Sequence, residues 1–213
     1  MAVLFDLDGV LVDSRAAFLN SMALALAQLD LAPRMREELL PCIGPPLKVG
    51  FSQLLDLPPD ALLVDALIAA YREHYTTISL TDTTVPPGVA EAVAALDGPL
   101  GVATSKPHRF AEPLLVAMGL REHFAVVAGP TLDTSGETKA QTITRALESL
   151  GTTDAVMIGD RSFDIIGAHA NGIPCIGVTW GIGGREELEQ AGADSIIDDP
   201  VELGPALHVM SRP

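Results

Sequence analysis

Cationic side chains are scarce. The 213-residue sequence has 13 Lys and Arg against 28 Asp and Glu, a formal charge of −15. So acidic a chain is a poor general binder of nucleic acid or of an anionic membrane surface. Cysteine is scarcer still. Cys42 and Cys175 lie far apart, form no CxxC and build no disulfide framework, so both read as buried thiols of a reducing compartment. No apolar run approaches the ~18 residues that a membrane-spanning helix needs. No basic segment precedes Val3-Leu4-Phe5, so no signal peptide is expected and the expected location is cytoplasmic. Charged residues make up only 19% and apolar residues 48%, the reverse of a disordered composition. The length suits one α/β domain, or such a domain with a small insert.

Short runs rich in branched residues alternate with helical patterns. The runs are Val3–Phe5, Leu100–Ala103, Phe124–Ala128, Ala155–Ile158, Cys175–Val178 and Ser195–Ile197. Between them, Thr138–Leu150 carries Ile143, Ala146, Leu147 and Leu150 at helical spacing and stops at Gly151. Strands separated by helices imply βαβ units and a mostly parallel sheet, which places ligands at the carboxyl ends of its strands. One interval breaks the rhythm. From Ser14 to about Asp82 no strand is evident. Ser14 can cap a helix whose stripe is Phe18, Met22, Leu26 and Leu29, a turn follows at Gly44-Pro45-Pro46, and Asp60 opens a helix running to about Tyr75. The expected organisation is a doubly wound, Rossmann-like core over residues 1–13 and 84–213, with a small all-helical insert over 14–83 after the first strand.

The chemistry-bearing residues fall at the strand ends. The first strand runs into Asp6-Leu7-Asp8-Gly9, and two carboxylates two residues apart can face one site while Gly9 lets the backbone come close to a ligand. The second ends in Thr104-Ser105-Lys106-Pro107, where a hydroxyl and N–H groups can hold a phosphoryl oxygen. Lys139, one of three lysines with Lys48 and Lys106, stands in the first turn of a helix, a position the helix dipole disfavours unless an anion is near. The fourth strand leads to Gly159-Asp160-Arg161-Ser162-Phe163-Asp164. Asp160 and Asp164, four apart, are expected on one helix face, where they and Asp6 could hold a hard oxygen-liganded cation. Asp160 read alone is equally well a helix N-cap. Gly181-Ile182-Gly183-Gly184 lacks the GxGxxG pattern and reads as a flexible turn.

This ordered set, with Gly44-Pro45-Pro46-Leu47, Tyr71-Arg72-Glu73-His74-Tyr75 and Gly177-Val178-Thr179-Trp180-Gly181, resembles the haloacid dehalogenase-like superfamily. More narrowly it resembles the phosphoglycolate phosphatase/β-phosphoglucomutase branch, whose helical insert is a cap. The resemblance implies Asp6 as nucleophile, Asp8 as acid/base, Thr104 as phosphate ligand and Lys139 as neutralising cation. It implies Mg²⁺ held by Asp6, the backbone carbonyl of Asp8, Asp160 and Asp164, and substrate contacts from Gly9, Ser105, Lys106 and, in the cap, Arg72. The implied activity is hydrolysis of a small phosphorylated metabolite, phosphoglycolate-like or a nucleoside 5′-monophosphate, by a monomer or homodimer. Two departures stand out: Ala140 where many relatives have proline after the lysine, and Arg161 where many have Thr or Ser.

Four rivals share parts of this pattern. A sugar phosphomutase has the same motifs. A receiver-like phosphoacceptor module gathers similar acids around Mg²⁺ but leaves the helical insert unexplained. A phosphonatase would need a desolvated cap lysine, and only Lys48 is present there. A dehalogenase has no need of the acid/base that Asp8 supplies.

Overall fold

A computed structural model describes residues 1–132 and 137–210. The chain divides into two compact units, one of Met1–Asp13 with Val85–Pro213 and one of Ser14–Thr84.

The first unit opens with β1 (Ala2–Phe5), whose four residues are all buried. The second unit is built from α1 (Arg15–Gln28), α2 (Arg36–Leu39), α3 (Leu47–Leu55) and α4 (Leu62–Thr81). Its centre is aromatic: Phe18 of α1, Phe51 of α3 and Tyr71 of α4 lie with ring centroids 5.3–6.5 Å apart, and Tyr75 stacks on Tyr71 at 5.1 Å. Such pairs add to the area term because ring edges meet ring faces. Phe18, Met22 and Leu26 of the expected stripe are buried, whereas Leu29 already lies past the helix end.

Two helix readings need correction. Ser14 precedes α1 but makes no side-chain cap. The helix expected over Asp60–Tyr75 instead starts at Leu62 and runs on to Thr81. The β-branched Thr76, Thr77 and Ile78 weaken the helical signal there, but a buried Ser79 shows that packing carries the helix through them.

The chain then returns to the first unit through α5 (Val89–Ala94), β2 (Leu100–Ala103), α6 (His108–Ala117), β3 (Val126–Ala128), α7 (Lys139–Leu150), β4 (Ala155–Gly159), α8 (Ser162–Ala170), β5 (Cys175–Val178), α9 (Arg185–Ala191), β6 (Ser195–Ile197) and α10 (Leu203–Met210). β3 is shorter than the expected Phe124–Ala128, because a 3₁₀ turn over Arg121–His123 delays its start. The six strands form one sheet of order β3-β2-β1-β4-β5-β6, every pairing parallel. β1 is therefore central, beside both β2 and β4.

The period of two along the strands divides the core. Val3 and Phe5 face one layer with Val93 of α5, Leu114 of α6 and Leu207 of α10. Ala2 and Leu4 face the other, with Ile143 of α7, Ile165 of α8 and Leu188 of α9. Helices on both faces identify the doubly wound α/β fold. Among the described residues no helix is long and apolar enough to cross a membrane.

Candidate active site

The carboxyl ends of β1, β2 and β4 bring most of the singled-out residues together. Asp6 follows β1 directly, with its N–H donated to the Ile158 carbonyl of β4. The chain then coils tightly. Leu11 and Val12 both donate N–H to the Leu7 carbonyl, and Gly9 donates to the Val12 carbonyl at 2.8 Å. Gly9 sits at φ +89°, and a Cβ built there would fall 2.1 Å from Asp160 Oδ2. Only glycine fits that approach. With its N–H already committed, what Gly9 offers the site is the space of a missing side chain.

Asp160 follows β4, and Asp164 lies in the first turn of α8. The expectation that they share a helix face is corrected here. Asp160 stands before the helix N-cap, Arg161. The two meet because Asp164 folds back: its Oδ2 accepts the N–H of Asp160 at 3.1 Å and of Arg161 at 3.0 Å. Asp164 thus caps its own helix, and Asp160 is not the cap. Gly159 permits this, since a Cβ there would lie 2.2 Å from Asp164 Cβ.

Lys139 opens α7. Thr138 caps that helix by accepting the N–H of Gln141 at 3.3 Å, while Gln141 Oε1 accepts the N–H of Thr138 at 2.8 Å. This capping box aims the first residue of the helix across α8. Lys139 Nζ reaches Asp164 Oδ1 at 2.7 Å and Asp6 Oδ1 at 2.8 Å, all three side chains nearly buried. The lysine passes Gly167, where a Cβ would lie 3.0 Å from Lys139 Cγ and 3.1 Å from the Ala140 nitrogen. Ala140 also accepts a hydrogen bond on its carbonyl from Asn171 Nδ2 at 2.9 Å, which fastens α7 to the end of α8. The missing proline at 140 thus leaves the lysine firmly placed.

The electrostatics are those of an undercompensated anionic pocket. Asp6, Asp160 and Asp164 each offer an oxygen within 4.8 Å of the others, and all are buried. Three carboxylates against one ammonium leave two negative charges. Burial pushes Asp6 up to about 6 against the opposing Lys139 charge. Burial, then the charges of Asp164 and Asp6, push Asp160 well above the usual carboxylate range. Burial alone would lower the Lys139 ammonium, but the charges of Asp164 and Asp6 overcome it and hold the lysine above its ordinary value. Asp160 Oδ1 is buried and accepts no hydrogen bond from the described residues. An orphaned carboxylate oxygen, an all-oxygen donor set and a deficit of two charges together fit a hard divalent cation.

Asp8 is oriented differently. Its Oδ1 pairs with Lys106 Nζ at 2.7 Å, with side-chain exposures of 17% and 8%, so its carboxylate stays outside the trio. Thr104 follows β2, is 1% exposed, and accepts the Lys106 N–H on its Oγ1 at 3.1 Å. Ser105 lies between them, half-buried. Arg72 belongs to α4 of the helical unit and is not among the residues that the core unit gathers. The Lys48 side chain is 40% exposed and pairs with Asp65 at 3.2 Å, so it is not a desolvated amine.

The sequence reading missed the loop after β5. Ile182 donates its N–H to Asp160 Oδ2 at 2.6 Å. A Cβ on Gly181 would fall 2.4 Å from Asp160 Cβ, and one on Gly183 would fall 2.0 Å from the Asp160 carbonyl oxygen. The expected flexible turn is a cradle for one carboxylate. The glycines were the available signal, but their partner lies about twenty residues away in sequence. Trp180 adds a tie, donating Nε1–H to the Val10 carbonyl at 3.1 Å.

Comparison with known proteins identifies the family. The family model of the haloacid dehalogenase-like hydrolases matches residues 3–178. A 5′-nucleotidase of Pseudomonas aeruginosa is 37% identical over 191 residues, 87% of this chain and 86% of that protein. A phosphoglycolate phosphatase of Agrobacterium fabrum is 32% identical over 218 residues, 96% and 91% of the two chains. The crystal structure of a predicted phosphatase from Clostridium acetobutylicum superimposes with a TM-score of 0.90 at 35% identity, covering 98% of each chain. A six-stranded parallel sheet with aspartates at the ends of β1 and β4, matched by a family model over most of its length, places this chain in the haloacid dehalogenase-like hydrolase family, as a phosphoric monoester hydrolase.

Proposed function

We propose that the chain is a Mg²⁺-dependent phosphatase that hydrolyses a small phosphorylated metabolite, phosphoglycolate-like or a nucleoside 5′-monophosphate, through an aspartyl-phosphate on Asp6. The observation that carries this reading is the buried cluster of Asp6, Asp160, Asp164 and Lys139 with a second carboxylate, Asp8, two residues from the first.

Asp6 attacks phosphorus as the ester bond breaks, and the leaving oxygen takes a proton from Asp8. Asp8, now ionised, takes a proton from water. That water attacks the aspartyl-phosphate, releasing inorganic phosphate and regenerating Asp6. Lys139 and the Thr104 hydroxyl hold phosphoryl oxygens, and Lys139 offsets the repulsion between the anionic nucleophile and the anionic ester. Asp6, Asp160, Asp164 and the backbone carbonyl of Asp8 would hold the Mg²⁺, which supplies Lewis-acid stabilisation of the phosphoryl charge when bound. Residues 14–83 act as a cap, Arg72 grips a second anionic group on the substrate, and Lys106 and Ser105 line the phosphate side.

Two tests follow from the donor chemistry. Turnover should stop in excess EDTA and return with Mg²⁺, Mn²⁺ or Co²⁺, whereas Ca²⁺ should bind without supporting it, because its looser coordination misplaces the attacking carboxylate. Full activity in EDTA would remove the metal from the reading. Arg72→Ala should impair phosphoglycolate hydrolysis more than that of p-nitrophenyl phosphate, which has no second anion. Equal kcat/KM losses on both esters would show that Arg72 is not a substrate contact.

A further inference from the structure

Arg161 stands where many relatives carry a small hydroxyl residue, and its partner is on the page. Glu187, in the first turn of α9, accepts Arg161 Nε–H on Oε1 at 3.0 Å. The same oxygen accepts the Ser162 N–H at 2.9 Å and the Ser162 hydroxyl at 2.8 Å. Burial would raise the Glu187 carboxyl, but the Ser162 and Arg161 hydrogen bonds outweigh it and hold the group below its ordinary range. The first turn of α8 is therefore fastened twice. Asp164 takes the N–H groups of Asp160 and Arg161 from within, and Glu187 takes that of Ser162 from the neighbouring helix.

Glu187 also lies in the helix that follows the other wall around Asp160. Only a few residues separate it from the Gly181-Ile182-Gly183 cradle, which donates to Asp160 Oδ2 and closes on the Asp160 carbonyl. The Arg161 side chain lies against that wall too, since a Cβ on Gly183 would come within 3.0 Å of Arg161 Cδ. We propose that Glu187, with Arg161, is a positioning residue for the cation site: it locks the start of α8 to the β5–α9 cradle and so fixes the direction of the Asp160 carboxylate. Glu187 is not one of the trio of carboxylates. Its effect passes through Asp160, and the inference rests on the reading that Asp160 binds the metal.

Outer partners of metal-binding groups typically set affinity by about 10–100-fold. The test is calorimetric titration of Mg²⁺ alone into the full chain, without substrate, with melting temperatures measured in EDTA. Glu187→Ala should raise the Mg²⁺ Kd by about tenfold or more. Glu187→Gln keeps one oxygen for the Ser162 N–H but loses the charge facing Arg161. It guards against a folding failure, and its Kd should fall between those of Glu187→Ala and the unaltered chain. Arg161→Met should raise the Kd less than Glu187→Ala, and adding it to Glu187→Ala should change little, because the two act as one unit. A Kd unchanged in Glu187→Gln and Arg161→Met, with lowered melting temperatures, would make the cluster a fold-stabilising contact only and overturn the inference. An unaltered chain that binds no Mg²⁺ would overturn the metal reading and this inference with it.

Discussion

Asp6→Asn should release no phosphate and take up no beryllofluoride, while Asp8→Asn should be nearly inactive in turnover yet still bind beryllofluoride on Asp6. The contrast follows from where the carboxylates point. Asp6 lies in the buried trio against Lys139, so the amide removes both the proposed nucleophile and a candidate metal oxygen. Asp8 points to Lys106, outside the trio, so its amide removes the proposed proton shuttle and leaves the trio intact. p-Nitrophenolate is a good leaving group and needs little protonation, so Asp8→Asn should form the aspartyl-phosphate from that ester and then stall, because water has lost its base. Intact mass spectrometry would show the stalled adduct, and circular dichroism would confirm that both variants fold. Asp6→Asn protein that keeps more than a few per cent of normal turnover would end the covalent mechanism.

Lys139→Met should have the next largest effect, on stability as well as on rate. Among the described residues, the ammonium is the one cation within hydrogen-bond distance of both Asp6 and Asp164. Taking one partner from a buried ion pair costs about 3–5 kcal/mol, because the remaining charge is left without compensation. For a chain of this length each kcal/mol moves the melting temperature by about 2–4 °C, so the drop in EDTA should be roughly 6–20 °C. The pH dependence has a definite sign. Burial already raises Asp6 to about 6, above its unfolded value, and losing the lysine raises it further. The native state then binds more protons than the unfolded state in that window, so the variant loses stability as pH rises through it and is closest to normal when acidified. Mg²⁺ should restore part of the stability by supplying charge to the same oxygens. Turnover should fall by about 10²–10³-fold, as when one stabilising donor is removed from a reacting oxyanion. A melting temperature in EDTA equal to that of the unaltered chain would show that the carboxylates find another counter-charge.

The strands were legible because β1, β2, β4 and β5 are short apolar runs with every residue buried, the pattern that a sheet covered on both faces imposes. α7 was legible because stripe and terminal glycine agreed, and Gly151 indeed adopts φ +66° at its end, while Thr138 turned out to be the cap and not the first helical residue. α4 was misjudged at both ends. Asp60 is a good cap residue in sequence, yet the helix begins after Ala61, and local propensity says nothing of the burial that extends it to Thr81. In the site, residue type and order marked Asp6, Asp160, Asp164 and Lys139. How Asp160 and Asp164 meet was not readable, because spacing of four fits both a helix face and a helix capped from within. Long-range pairings were hidden for a plainer reason. Lys106 with Asp8, Glu187 with Ser162 and Ile182 with Asp160 each join segments that follow different strands, and no local pattern records which of them become neighbours.

The central position of β1 also bears on how the chain acquires its structure during synthesis. Val3 lies beside Leu100 on one side and Val156 on the other, so the first strand made waits for segments that emerge much later. Residues 14–84, by contrast, are continuous in sequence and hold their own aromatic centre, which closes only local loops. Loop closure delays long-range parallel pairing more than local helix packing. The helical unit is therefore the part able to form first on the ribosome, while an apolar Ala-Val-Leu-Phe strand stays exposed until β2 and β4 arrive. A chaperone that shields that segment would raise the yield of active enzyme without changing the final fold.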